Sequence, residues 1–282
     1  MAVGGTLFLV GTPIGNLGDL SDRARETLRN VDLVAAEDTR RTGRLLRAFG
    51  IEARSLSLFE GNERARTLQL LDVLQAGKDV ALVSDAGMPS VSDPGFPLVR
   101  ACIEAGVDVR VVPGPSAVLA ALVVSGLPTD RFTFEGFAPR KAGERRERLR
   151  ALRNDPRTVV LFESPRRVAT LLRDVLEQLG DRRMALAREL TKLHEEVLRG
   201  RVSEVLERVT RAEPKGEVVV VIEGAEEASP PALDELAAEA RSLVDEGWKK
   251  RGAASEVARR HGASANEVYA ALVRSSRPAI DP

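Results

Sequence analysis

Four short apolar runs punctuate the first 125 residues, at 6–10, 33–36, 80–83 and 109–112. Each is compact, rich in Val and Leu and bounded by turn residues, the signature of a strand. Between them lie helical patterns at 21–30, 39–49, 63–75, 97–105 and 117–124, the first of them opened by Ser21 as N-cap and an acidic Asp22. Strands and helices in alternation predict a mostly parallel sheet covered by helices.

The pattern changes after Gly126-Leu-Pro128-Thr-Asp130, which reads as a linker. Strands are expected at 132–137, 158–162, 184–188, 196–200 and 217–223, and helices at 140–153, 166–179 and 203–211. The runs 184–188 and 196–200 are too close for a helical crossover, so this second sheet should contain antiparallel pairs. Gly224-Ala-Glu-Glu-Ala-Ser-Pro230-Pro231 forms a second linker, and residues 232–276 read as three helices with Gly252 and Gly262 in the connections. The expected fold class is therefore α/β: two α/β domains, 1–125 and 126–224, plus a small C-terminal helical domain, 232–282.

Composition narrows the function classes. A length of 282 residues suits two domains and a small appendage. Apolar residues at 43% and charged residues at 30% are ordinary globular material. Apolar stretches such as 218–222 fall far short of the ~20 residues of a membrane span. No basic segment leads into an apolar one and a cleavage site, so a cytoplasmic location is expected. Cys102 is the single cysteine, which excludes an internal disulfide and any CxxC site, and His194 and His261 offer little for a zinc centre; no metal is expected. Lys+Arg and Asp+Glu balance at 42 each, yet a neutral total says nothing about where the charges lie.

Three loops follow strands of the first domain. Gly11-Thr-Pro13-Ile-Gly15-Asn16-Leu-Gly18 lets backbone N–H groups approach a ligand, but it is neither GxGxxG nor a GK[ST] loop, so neither NAD nor ATP is signalled. Ser84-Asp85-Ala-Gly87-Met88-Pro89-Ser90-Val-Ser92-Asp93-Pro94-Gly95 is longer than a connection needs and lies where open α/β sheets bind ligands. Pro113-Gly114-Pro115-Ser116-Ala117 opens a helix with Ser116 as N-cap. Each fits a plain turn or capped helix in isolation; together, at the same end of three strands, they point to one binding crevice.

In the second half, residues 140–153 carry seven basic groups against two acidic ones, a local net of +5. On a helix, Lys141, Arg145 and Arg148 share one stripe and Arg146, Arg150 and Arg153 the next, leaving Leu149 and Leu152 for the core. A solvated face with Glu–Arg pairs is the alternative; the imbalance of sign favours a phosphate-binding surface. Arg166 and Arg167 add a pair at the start of a helix, with Ser164 or Glu163 as cap, and His194 reads as structural. Eight Phe, one Tyr and one Trp are too few for stacked single-strand platforms.

Several longer motifs occur in a fixed order: Gly11-Thr-Pro-Ile-Gly-Asn16, Ala36-Glu-Asp-Thr-Arg40, the loop from Ser84 to Gly95, Val112-Pro-Gly-Pro-Ser-Ala117 and Phe134-Glu-Gly-Phe-Ala-Pro-Arg-Lys141. Phe162-Glu-Ser-Pro-Arg-Arg167, Ala187-Arg-Glu-Leu-Thr-Lys192 and Lys215-Gly-Glu-Val218 continue the set. Over about residues 6–224 the chain closely resembles the bacterial ribosomal RNA small subunit methyltransferase I family, within the tetrapyrrole methylase superfamily. It departs from that pattern at Met88, where Thr is usual, at Arg166, where His is usual, and at Phe59-Glu-Gly-Asn-Glu63, which keeps only part of a His-rich segment.

The resemblance implies S-adenosylmethionine as cofactor, folded into a cleft between the two α/β domains. It implies a homodimer, and methylation of the ribose 2′-hydroxyl of a decoding-centre cytidine in 16S rRNA of the small ribosomal subunit. Leu9 and Pro13 would border the cleft, Asp85, Gly87, Met88 and Val91 would cradle the methionine part, and Ser116 and Ala117 would meet it from the third loop. Leu190 and Gly216 would close over the adenosine. A ribose hydroxyl is a weak nucleophile, so Glu163 is the candidate proton acceptor and Lys192 its electrostatic partner. Arg140, Lys141, Arg145, Arg146, Arg148, Arg166 and Arg167 are the candidate RNA contacts. A tetrapyrrole or protein methylase of the same fold, or a non-catalytic ribosome-assembly factor, remain the alternatives.

Overall fold

The computed structural model of the protein describes residues 4–226 and 231–274, so residues 227–230 of the second linker and 275–282 of the expected C-terminal domain lie outside the described residues. The chain divides between residues 225 and 226 into two compact units.

The first unit holds two five-stranded sheets. The first comprises β1 (Thr6–Val10), β2 (Leu33–Ala36), β3 (Ser55–Ser57), β4 (Val80–Val83) and β5 (Asp108–Val112) in the order β3-β2-β4-β1-β5, all parallel. Alternate side chains go to opposite faces. Leu7, Val80 and Leu82 pack with Leu70 and Leu74 of α3 (Glu63–Gln75) and Leu98 of α4 (Phe96–Glu104). Val10, Val34 and Val83 pack with Leu28 of α1 (Asp22–Asn30) and Leu46 of α2 (Thr39–Ala48). The Ser21 hydroxyl caps α1 by accepting from the Ala24 N–H, as expected. The order sets β4, β1 and β5 side by side, so the loops after all three meet at one edge.

The second sheet comprises β6 (Phe132–Phe137), β7 (Thr158–Glu163), β8 (Arg183–Arg188), β9 (Glu196–Arg201) and β10 (Val218–Ile222) in the order β6-β7-β10-β8-β9. Only β6 and β7 are parallel; β10 runs antiparallel to both neighbours and β8 to β9, as their spacing required. One face is covered by α6 (Ala142–Ala151), α7 (Pro165–Leu179) and α8 (Val202–Arg211) through Leu149, Leu172 and Val205. The other is covered by α5 (Ala117–Ser125), through Val118, Ala121 and Leu122 against Val160, Ala185 and Val221. The helix that follows the last strand of the first sheet thus roofs the second.

Three sequence expectations change. Strand β3 was missed because Ser55-Leu-Ser57 has no apolar run; it is an edge strand held by pairing with β2. Helix α6 ends at Ala151, so Arg153 lies outside it. Gly252 lies inside α10 (Lys250–His261) rather than in a connection, and the turn from α9 (Leu233–Asp245) uses Gly247 at φ +102° instead. Gly262, at φ +63°, does cap α10 ahead of α11 (Ala265–Arg274). These three helices have their own core of Leu236, Ala240, Ala254, Val257, Val268 and Leu272. Among the described residues no helix is long and apolar enough to cross a membrane.

Candidate functional site

The three glycine-rich loops are locked to one another before any ligand is considered. Thr12 and Gly87 exchange backbone hydrogen bonds, N–H to carbonyl, at 2.9 and 3.1 Å. The buried Thr12 hydroxyl donates to the Ser84 carbonyl at 3.2 Å. Gly11 and Gly114 meet backbone to backbone: a Cβ on Gly11 would lie 2.6 Å from the Gly114 main chain. The loop after β4 holds Ser90 and Ser92 in the left-handed region, at φ 69° and 61°. Strain of this kind persists only where the surroundings enforce it, commonly at functional sites.

The Ala36-Glu-Asp-Thr-Arg40 segment joins the same constellation. Asp38 caps α2, its carboxylate accepting from the Arg40 N–H at 2.8 Å, while its own N–H donates to Asp85 at 3.1 Å. Arg41 pairs with the other Asp85 oxygen at 3.2 Å. From the second sheet, the segment after β8 reaches across. A Cβ on Gly15 would lie 2.5 Å from the Lys192 side chain, and Glu189 and Thr191 also adopt left-handed φ values of 51° and 66°.

Between these elements lies a cleft of about 790 Å³, within the range of small-molecule sites. Of the expected cofactor residues, Asp85, Gly87, Met88, Val91, Ser116, Ala117, Leu190 and Gly216 line it, together with Glu163. Pro13 instead lines an adjoining cavity of about 590 Å³, as does Lys192. Leu9 lines neither; its side chain packs in the core between the first sheet and α3 and α4. The two cavities share Ile14, Arg41, Asp85, Ala86 and Glu217 as a common wall.

The cleft is acidic. Glu37, Asp85, Asp93, Glu163 and Glu217 face it against a single Arg41. Burial pushes the Glu37 and Asp85 carboxyls above their ordinary values. Burial, with Glu37 nearby, pushes Asp93 to about 6, although the Ser84 hydroxyl counteracts this. Glu163 is buried: Oε1 accepts from the Ser164 N–H at 2.7 Å, and Oε2 lies 3.1 Å from Arg167 without a hydrogen-bond partner. Ser90 Oγ and Thr191 Oγ1, on the two strained loops, are also buried and unpartnered. Lys192 donates to Glu189 at 2.9 Å and Glu217 at 3.1 Å; partial burial lowers its pKa, but these two bonds outweigh it and hold the ammonium above its ordinary value. Glu163 and Lys192 therefore belong to adjoining cavities rather than to one contact pair.

Most of the expected RNA-contacting side chains are engaged within the protein. Arg145 is a correction: it is buried, pairing with Asp174 at 2.6 Å and donating to the Pro139 and Arg140 carbonyls. Arg146 takes the other Asp174 oxygen at 2.8 Å, Arg148 pairs with Glu135 at 2.9 Å, and Lys141 pairs with Glu144 at 2.9 Å. Arg167 pairs with Glu163 and donates to the Ala138 carbonyl at 2.8 Å. Arg140 and Arg166 are exposed. His194 is exposed as well.

Sequence reasoning missed Ile14, Glu37, Arg41, Asp93, Phe137 and Phe162 as lining residues. Position was the available signal for Glu37, which directly follows β2, and for Arg41, in the first turn of the helix that follows it, at the edge where the other loops meet. Nothing local marked Phe137 and Phe162, whose rings meet at a 59° tilt with centroids 5.5 Å apart.

The family model for Tetrapyrrole (Corrin/Porphyrin) Methylases matches residues 6–206. A ribosomal RNA small subunit methyltransferase I from Thermotoga maritima is 51% identical over 222 residues, 79% of this chain and 100% of the relative. One from Mycobacterium tuberculosis is 47% identical over 282 residues, covering 99% of this chain and 98% of its own. Among solved structures, a uroporphyrin-III C-methyl transferase from Thermus thermophilus, complexed with S-adenyl homocysteine, has the same fold at 23% identity. Its TM-score is 0.55, over 78% of this chain and 97% of that one.

Proposed function

We propose a function from one premise: this chain belongs to the tetrapyrrole methylase family and, within it, to the ribosomal RNA small subunit methyltransferases I. It is an S-adenosylmethionine-dependent methyltransferase of small-subunit ribosomal RNA. Our finer reading is that it methylates the ribose 2′-hydroxyl of a decoding-centre cytidine in 16S rRNA, in the cytoplasm and as a homodimer.

The acidic cleft is the observation that carries the cofactor assignment. Of its five carboxylates, Asp85, Glu163 and Glu217 have cationic partners in Arg41, Arg167 and Lys192, which leaves Glu37 and Asp93 as the excess negative charge for a ligand that carries a sulfonium and an ammonium against one carboxylate. Gly87, Met88 and Val91 would hold the methionine part, Ser116 and Ala117 would meet it from α5, and Leu190 and Gly216 would close over the adenosine. Once bound, S-adenosylmethionine supplies a methyl group already activated on a positive sulfur.

What remains for the protein is to align the acceptor oxygen and manage its proton. Glu163 Oε2 is ion-paired with Arg167 but accepts no hydrogen bond, so a lone pair is left for a proton from the acceptor hydroxyl. Lys192, kept charged by Glu189 and Glu217, would favour the alkoxide electrostatically. Asp93 is a second candidate acceptor, because a carboxyl titrating near 6 is better matched to neutral pH than an ordinary one. Arg140, Lys141, Arg146, Arg148, Arg166 and Arg167 would contact RNA; the buried Arg145 would not.

The test incubates the protein with unmethylated small subunits and labelled S-adenosylmethionine, then digests the RNA. Label on a ribose, with alkaline cleavage blocked at that nucleotide, is the expected result. Label on a base, or none, overturns the reading.

A further inference from the structure

The expected cationic surface, α6, is largely neutralised by Asp174, Glu135 and Glu144. Helix α2 is different. Its ten residues, Thr-Arg-Arg-Thr-Gly-Arg-Leu-Leu-Arg-Ala, include four arginines and no acidic residue. Arg40, Arg44 and Arg47 fall at i, i+4 and i+7, on one stripe. All three are exposed. Arg40 has a side chain 90% accessible and touches only its own cap, Asp38, at 3.5 Å. Among the described residues, the guanidinium groups of Arg44 and Arg47 have no hydrogen-bond or ion-pair partner. Four cations on a ten-residue helix repel one another, and three lack a strong internal partner, so folding alone gives no reason for the stripe.

The position of the helix supplies a reason. Arg41, Arg44, Leu45 and Ala48 of this helix line the cavity of about 590 Å³, as does Lys192. In that cavity Arg41 pairs with Asp85, and Lys192 with Glu217 and Glu189, while Arg44 has only a through-space attraction to Asp85 and is the least matched of the three cations. Leu17, Leu45 and Ala48 give an apolar wall on which a base can lie, and the cavity shares its inner wall with the acidic cleft.

We infer that α2 is a phosphate-gripping surface: Arg40, Arg44 and Arg47 hold the RNA backbone, so that the target nucleotide enters the cavity beside Lys192 with its ribose turned to the cleft. The acidic cleft takes the cationic cofactor, and the exposed arginines of α2 beside the adjoining cavity take the polyanion. The inference rests on the RNA methyltransferase reading and adds where on the protein the strand lies.

The test compares Arg44→Gln/Arg47→Gln with a control in the second domain, Arg150→Gln/Arg153→Gln, using small subunits as substrate and a short RNA of the target region for binding. The α2 double variant should raise KM for subunits at least ~10-fold and reduce the slope of log affinity against log salt by about 0.7–0.9 for each lost contact. S-adenosylmethionine affinity should stay unchanged, and Arg44→Lys/Arg47→Lys should restore the slope. The control should alter KM far less. An unchanged KM and salt slope in the α2 variant overturns the inference, as does an equal loss in the control or a parallel loss of cofactor affinity. Failure of the wild-type chain to methylate subunits would count against the methyltransferase reading instead, because RNA binding is read separately from transfer.

Discussion

Arg145 and Asp174 form an ion pair at 2.6 Å with side chains only 7% and 4% exposed. Asp174 belongs to α7, so the pair clamps α6 to its neighbour. Removing one partner of such a pair leaves a buried charge uncompensated, which typically costs about 3–5 kcal/mol. Asp174→Ala, which leaves the buried Arg145 without its carboxylate, should lower stability in urea by that order, whereas Arg145→Ala leaves Asp174 paired with Arg146 and should cost less. Arg145→Met combined with Asp174→Leu should recover much of it, since an apolar replacement removes both charges at once.

The contact between Gly11 and Gly114 cannot relax by rotating a side chain, because main chain meets main chain. Gly11→Ala should separate the loops after β1 and β5, lower stability by about 1–3 kcal/mol, and weaken S-adenosylmethionine binding. Gly143→Ala, in α6 with nothing within 4 Å of its Cβ, should instead stabilise by roughly 0.5–1 kcal/mol. Thermal unfolding and calorimetric titration of both variants check the pair of outcomes.

Asp93 gives the cleft a pH dependence. Its carboxyl titrates near 6 in the folded chain, above an ordinary value of 3.8. Between those values the folded state holds a proton that the unfolded state has lost, so this group's contribution to stability falls as pH rises. Asp93→Asn should therefore raise the melting temperature of the ligand-free protein above pH 6. A cationic cofactor prefers the ionised carboxylate, so its affinity should decline as pH drops through 6, and the same substitution should flatten that decline. Calorimetry on both sides of that pH reads the effect.

Glu163→Gln and Lys192→Ala should each lower turnover on small subunits by about 100-fold, the lower end of what a positioned proton-transfer group contributes. Single-turnover methyl transfer is the measurement. Near-normal rates in both variants would remove the pair from the chemistry and leave Asp93 as acceptor.

Four of the five strands of the first sheet were legible because each is a compact apolar run followed by a turn and a helical pattern. The second was legible as far as its antiparallel pairs, from the short gap between β8 and β9. Strand β3 was not, because pairing rather than composition makes Ser55-Leu-Ser57 a strand. At the site, the loop residues Asp85, Gly87 and Ser116 stood out by spacing, whereas Phe137 and Phe162 reach the cleft only through the register of β6 on β7. The charge of 140–153 was read correctly as an excess but not as its destination. Asp174 and Glu135, distant in sequence, absorb much of it. Helix α2, with fewer cations, keeps more of them free.

The strand order β6-β7-β10-β8-β9 has a consequence for synthesis. Strand β10, with all five residues buried, sits at the centre of its sheet, yet it is the last of that sheet to leave the ribosome. Until Val218–Ile222 emerges, β7 and β8 each lack an inner neighbour and α5 lacks Val219 and Val221 from the surface it covers. The nascent chain can complete its first sheet early, but the wall that closes the cleft forms only when nearly the whole first unit has been made.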